Sequence, residues 1–370
     1  MITDNYFKKL LDQLLAKNYP FAIWTMPGKK LPVVLIGDKN DVLYFQDVTQ
    51  INDKEGFIFA PFRIQENSPI IMIKPGVLLQ KEEDFSSFSV ESLSQLPKEN
   101  ILQKEQYFIS KKEYIKDIKK TVDFLSMSSL SKVIISRLIS KNRGKESIGN
   151  IYWDLKEKSP KAFVYLVNLP KEGTWMGATP EILFNTDGKI VETVSLAGTQ
   201  SFRKDGDYSW RTKEIEEQAF VSRYMLDVFY HFNIYPYTTR GPETLESGNV
   251  AHLKTNFYFT SDKIKGIWGN FVKQLHPTPA VCGLPKEDAD KYITTIEKHD
   301  RRYYSGYAGF WQPGKSVKLF VNLRCMEITP EKYIIYSGGG ITEKSIPEDE
   351  WDETTEKAQP LLSVIDEEKK

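Results

Sequence analysis

Short apolar runs bounded by turn residues recur along this 370-residue chain, and they do not alternate with helices in a strict βαβ rhythm. PVVLIG (Pro32 to Gly37), PIIMIKPG (Pro69 to Gly76), KVIISRLI (Lys132 to Ile139) and AFVYLVNL (Ala162 to Leu169) are such runs, rich in residues that suit a pleated, half-buried surface. EILF and KIVETVSLAG flank Asn185-Thr186-Asp187-Gly188, whose Asp-Gly pair tolerates the positive φ of hairpin turns. SVKLFVNLRCMEI followed by KYIIYSGGG reads as a second hairpin. This pattern predicts an α+β fold built on large antiparallel sheets.

Four helices stand out among the strands. The N-terminal MITDNYFKKLLDQLLAKNYP is amphipathic, and a second pattern from Lys111 places Tyr114, Ile118, Val122 and Leu125 at helical spacing. A third covers about Lys213 to Phe229. The last starts close to Pro347, with Pro360 expected to kink or end it.

Fifty basic and fifty acidic residues give zero formal charge, which offers nucleic acid or an anionic membrane no electrostatic partner. Two cysteines, Cys282 and Cys325, fit a reducing compartment better than a disulfide scaffold. The N-terminus lacks the uninterrupted apolar core of a signal peptide, and no run approaches the roughly eighteen apolar residues of a membrane span. A cytoplasmic protein is expected.

The most informative residues are carboxylates on apolar stripes. In the third helix, Glu214 and Glu217 fall on the stripe of Val221, Met225 and Val228. In the last, Glu350, Glu353 and Lys357 continue into Leu361 and Val364. Buried carboxylates are normally paired or bound to a metal, and glutamates from two helices suit a hard cation such as magnesium. For either helix taken alone, the plainer reading is a partly exposed glutamate at a stripe edge, with Glu353 and Lys357 a simple i,i+4 pair.

Several segments, in order, resemble the chorismate-utilising family of isochorismate, salicylate, anthranilate and aminodeoxychorismate synthases. They are KVIISR (Lys132 to Arg137), GATPEILF (Gly177 to Phe184), SLAGT (Ser195 to Thr199), AHLKT (Ala251 to Thr255) and LHPTPAVCGLP (Leu275 to Pro285). DRRYYSGYAGF (Asp300 to Phe310), NLRCMEI (Asn322 to Ile328), YSGGGI (Tyr336 to Ile341) and EWDETTEKAQPLL (Glu350 to Leu362) follow. The resemblance implies a single large domain of two big, mostly antiparallel sheets with helices packed outside. Residues 111–370 would form the chorismate-binding catalytic region. Residues 1–110, poorly matched, would be a scaffold part of the same fold.

By the family's pattern Lys132 is the general base for an attacking water, and Glu181 the general acid for the departing hydroxyl. Glu217 and Glu353 would hold Mg2+, with Glu214 and Glu350 close by. Arg324 would grip a substrate carboxylate, with Lys357 and the backbone of the Gly338-Gly339-Gly340 loop completing the cradle. Ala197, His252 and Thr278 occupy positions that line the pocket.

Two positions narrow the chemistry. The anthranilate-forming members carry glutamine where this chain has Lys132, and the aminodeoxychorismate-forming members carry a nucleophilic lysine where it has Ala197. The resemblance therefore implies an isochorismate synthase, with salicylate synthase as the alternative, serving menaquinone or siderophore formation as a monomer or weak dimer. The chain departs from the pattern at Gln218, usually histidine, and Gln200, often arginine. A glycoside hydrolase with paired glutamates is a competing reading. Against it, Lys132 and Arg324 suit an anionic substrate. A binding protein without activity would not need both Lys132 and Glu181.

Overall fold

The computed structural model describes residues 3–97, 105–247 and 250–365. Two nine-stranded sheets organise it. The first runs in the order Gly283–Leu284, Lys132–Asn142, Lys332–Ile341, Cys325–Ile328, Gly173–Thr179, Phe163–Leu169, Phe21–Thr25, Val33–Ile36 and Val77–Leu79. The second runs Thr238–Ser247, Val250–Thr260, Ile190–Ser201, Ile182–Thr186, Ser316–Val321, Tyr307–Gln312, Gly56–Ala60, Ile70–Ile73 and Val42–Phe45. Neighbouring strands pair antiparallel, as between Lys132–Asn142 and Lys332–Ile341. The expected α+β architecture is what the chain adopts.

The sheets pack face to face on a core that is unusually aromatic. Phe163 of the first stacks on Phe320 of the second at 4.3 Å, and Phe59 of the second lies 5.8 Å from Trp175 of the first. Aromatic pairs add to their large buried area, so this layer is the main apolar bond between the sheets. Helices cover the outer faces. Asp4–Ala16, Ile148–Lys158 and Pro347–Ile365 bury Leu11, Leu155 and Leu361 against the first sheet, whereas Thr212–His231 and Trp268–Leu275 bury Met225 and Phe271 against the second. The strands from the first 97 residues supply three members of each sheet. No helix among the described residues is long and apolar enough to cross a membrane.

Most local expectations hold. The helices begin at Asp4, Lys111, Thr212 and Pro347, and Gly188 turns the first hairpin at φ +90°. Pro360 does not end the last helix, which continues to Ile365. The second hairpin requires correction. SVKLFVNLRCMEI is not one strand: Ser316–Val321 pairs with Tyr307–Gln312 in the second sheet, and only Cys325–Ile328 joins Lys332–Ile341 in the first. Asn322 makes the break. It is fully buried, accepts from the Tyr165 hydroxyl at 2.6 Å and donates to the Tyr303 carbonyl at 2.8 Å, so its side chain ties the crossing to the Phe163–Leu169 strand and to the segment before Tyr307.

Candidate active site

The chain crosses between the sheets at Thr179-Pro180-Glu181 and again at Asn322-Leu323-Arg324. Each crossing continues a ladder: Val321 N–H donates to the Glu181 carbonyl at 2.9 Å in the second sheet, and Ala178 N–H donates to the Arg324 carbonyl at 3.1 Å in the first. Arg324 sits at φ +47°, a left-handed backbone that costs a non-glycine residue energy and clusters at functional positions. Glu181 and Arg324 thus stand side by side at the mouth between the sheets.

A cavity of about 530 Å3 opens there, and it gathers most of the expected residues. Lys132, Glu181, Ala197, Glu214, Glu217, His252, Arg324, Gly338, Glu350, Glu353 and Lys357 all line it, from segments far apart in sequence. Thr278 does not. Its carbonyl accepts from Val281 and Cys282 N–H at 3.0 Å, so it shapes the turn that brings Val281 to the wall. Tyr304 and Lys344 line the cavity too. Sequence reasoning missed them, although Tyr304 lies inside the DRRYYSGYAGF segment.

Gly338, Gly339 and Gly340 are not a loop, as expected, but the end of the Lys332–Ile341 strand, paired with Ser136, Ile135 and Ile134. On that strand Cys325–Ile328 reaches only Tyr333–Tyr336, which leaves the other edge of the glycine stretch unpaired beside the cavity. A Cβ on Gly340 would stand 2.8 Å from Lys132 Cε, and one on Gly339 3.0 Å from Glu350 Oε2 and 3.8 Å from Glu353 Oε1. The glycines therefore leave both faces of the strand end bare, one for Lys132 and the other for the two glutamates.

Each carboxylate has a distinct setting. Glu217 pairs with Lys132, both largely buried. Glu353 accepts from Lys357 Nζ at 2.7 Å, and Lys357 also donates to the Gly338 carbonyl at 3.1 Å. Burial raises the Glu353 pKa, but Lys357 overrides it and holds the group below the usual carboxylate range. Glu214 faces Arg211 and accepts from its backbone N–H at 2.9 Å, capping its own helix. Glu181 differs: it is 8% exposed, and burial pushes its pKa up to about 7 against the pull of Lys132, Lys357 and Arg324. Burial, with Lys357 and Arg324, drives His252 down to about 4, so its imidazole is neutral near pH 7.

Among the described residues, no three His, Cys, Asp or Glu side chains converge as a metal-binding group. The four expected glutamates share one cavity, but Glu214, Glu217 and Glu353 lie on basic partners. The donor chemistry nevertheless fits a hard cation. Six carboxyl side chains and five lysines and arginines line the cavity. With Glu181 protonated the two sets balance, so a dianionic ligand would bring two uncompensated charges that a divalent cation offsets.

The sequence matches span about two thirds of the length of the relatives they align with. It is 25% identical over 264 residues to the vibriobactin-specific isochorismate synthase of Vibrio cholerae, covering 69% of this chain and 67% of that protein. Identity is also 25% over 245 residues with isochorismate synthase EntC of Escherichia coli, covering 64% and 62%. The crystal structure of a 2,3-dihydroxybenzoate-specific isochorismate synthase, DhbC, from Bacillus anthracis superposes with a TM-score of 0.79 at 21% identity, over 96% of this chain and 99% of that one, which establishes the shared fold. The sequence profile of the chorismate binding enzymes matches residues 47–366, within which every cavity-lining residue falls. The chain belongs to the chorismate binding enzyme family.

Proposed function

We propose that the protein is a magnesium-dependent isochorismate synthase, interconverting chorismate and isochorismate. The observation that carries this reading is Glu181: a buried carboxyl held up to about 7, in one cavity with Lys132, Arg324 and Lys357. A carboxylic acid that keeps its proton near neutrality is what expulsion of hydroxide requires. Relatives that are isochorismate synthases support the same reading.

Arg324 and Lys357 bind the two carboxylates of chorismate and orient the ring. Lys132 takes a proton from water as the water oxygen bonds to C2. The ring double bonds shift, the C4–O bond breaks, and Glu181 gives its proton to the leaving hydroxyl, which departs as water. Lys132 serves as a base only when its amine is free of the ion pair with Glu217. Magnesium, held by Glu217 and Glu353 with Glu214 and Glu350 beside them, would supply positive charge that offsets the ring carboxylate. Ala197 offers no nucleophile, which excludes a covalent adduct at that position.

The test is incubation with chorismate and magnesium chloride, with and without chelator, and identification of products by chromatography. Isochorismate in equilibrium with chorismate, lost with chelator and restored by magnesium, is the expected result. Salicylate with pyruvate as main products would assign the protein to the salicylate synthases. Unchanged chorismate would reject the proposed activity.

A further inference from the structure

A second cavity, of about 320 Å3, lies behind the first. Lys132, Glu217 and Lys344 line both, so the Lys132–Glu217 ion pair is part of the wall between them. On its outer side the second cavity reaches the exposed Ser128-Ser129 turn and Phe220, which is 42% exposed. We propose that this cavity is the route by which the attacking water reaches Lys132 while chorismate fills the main cavity. The inference rests on the reading of Lys132 as the base.

The chemistry of the walls separates the two spaces. Glu216, Glu217 and Glu343 line the second cavity with Lys132 and Lys344, and it lacks Arg324 and Lys357, the pair that would bind the carboxylates of chorismate. A dicarboxylate entering the second space would find no such pair, with Leu125, Leu130 and Leu284 offering no hydrogen bond. Water suffers neither penalty, and Ser128, Ser129 and Ser131 give it hydroxyl partners along the way. A water oxygen must bond to C2 while the ring is held, and a path outside the substrate cavity lets water reach Lys132 without displacing the ring.

The route is tested by filling it from its exposed end. Ser129→Trp and, from the helix side, Phe220→Trp place an indole in the second cavity, and both positions are exposed enough to tolerate it. The expected result is a fall in kcat of about tenfold or more, since loss of a positioned proton acceptor costs at least that. Chorismate binding, measured in a Glu181→Gln background where it is not turned over, stays at the level of the Glu181→Gln parent. Parental kcat in both tryptophan variants overturns the proposal. So does an equal loss of chorismate affinity, because the side chain would then act through the substrate cavity. Absence of isochorismate formation by the parent protein rejects the proposed function instead.

Discussion

The guanidinium carbon of Arg137 lies 3.7 Å from the centroid of the Trp351 ring, while its Nε and Nη2 each donate at 2.7 Å, to the hydroxyls of Thr354 and Thr355. All three partners sit on the helix that carries Glu350, Glu353 and Lys357. Arg137 projects from the same strand as Lys132 and is 5% exposed, so one strand carries both the proposed base and the clamp on the helix of acids. Burial lowers its pKa to about 10, which leaves it charged at neutral pH.

Arg137→Met should therefore cost about 2 kcal/mol of stability, from the lost stacking and hydrogen bonds, read by thermal or denaturant unfolding. The magnesium concentration for half-maximal activity should rise by more than the chorismate KM. Arg137→Lys should fail to restore it, because an ammonium cannot span two hydroxyls and stack on an indole. Equal magnesium dependence in the variant and the parent would show that the clamp does not set the acids.

The pH profile should carry the signature of Glu181. Its carboxyl titrates near 7 in the folded chain because burial penalises the charged form, so kcat/KM should fall as pH rises through about 7. Glu181→Gln should bind chorismate and lack turnover.

The same group makes a stability prediction that runs in the same direction with pH. A folded pKa raised from 4.5 to about 7 means that the folded chain holds this proton more tightly than the unfolded one. Stability from this source is full below about 4.5 and is lost as pH rises to about 7. Glu181→Gln removes that loss. The variant should be more stable at pH 8, by up to about 3 kcal/mol, and no more stable at pH 4. Matching unfolding curves at pH 8 would show that Glu181 is not strained in the parent.

Gly340→Ala separates fold from function. The strand backbone there accepts alanine, but the added carbon would meet Lys132 Cε at 2.8 Å and must displace it. The variant should fold, with activity reduced about a hundredfold, the scale expected when a reacting group moves by an ångström. Near-parental activity would argue against Lys132 as the base.

Lys357→Met should raise the chorismate KM by about tenfold or more, the scale of a lost charged hydrogen bond. It also removes the partner that Glu353 holds at 2.7 Å, so magnesium affinity should change with it. An unchanged KM would place the substrate carboxylate elsewhere.

What the sequence discloses depends on the range of the interaction. The stripe of Glu214, Glu217, Val221, Met225 and Val228 is set by helix geometry alone, and its valines and methionine are buried as it requires. That Glu214 turns to Arg211 is also local, a capping box whose first residue is an arginine rather than the usual serine or threonine, and so passed unread. Asn322 could not be read as a strand break, because its partners Tyr165 and Tyr303 are distant in sequence and meet only when the sheets pack. Tyr304 reaches the cavity for the same reason. Motifs in family order located Lys132 and Glu181, which no periodicity marks. Thr278 shows the limit of such transfer: it sits in a matched segment yet serves the turn rather than the wall.

The two strand crossings have a consequence for how this site tolerates change. Glu181 is fastened to the second sheet, where its carbonyl accepts from Val321 of the Ser316–Val321 strand, and Arg324 to the first, where its carbonyl accepts from Ala178 of the Gly173–Thr179 strand. Sliding one sheet over the other would therefore carry the acid away from the arginine. The helices bearing Glu217 and Glu353 are fixed to one outer face each and would shift in opposite directions. Drift in the sandwich core would thus be felt in the acid cluster and at the crossings together, so the whole site depends on the fit of the aromatic layer.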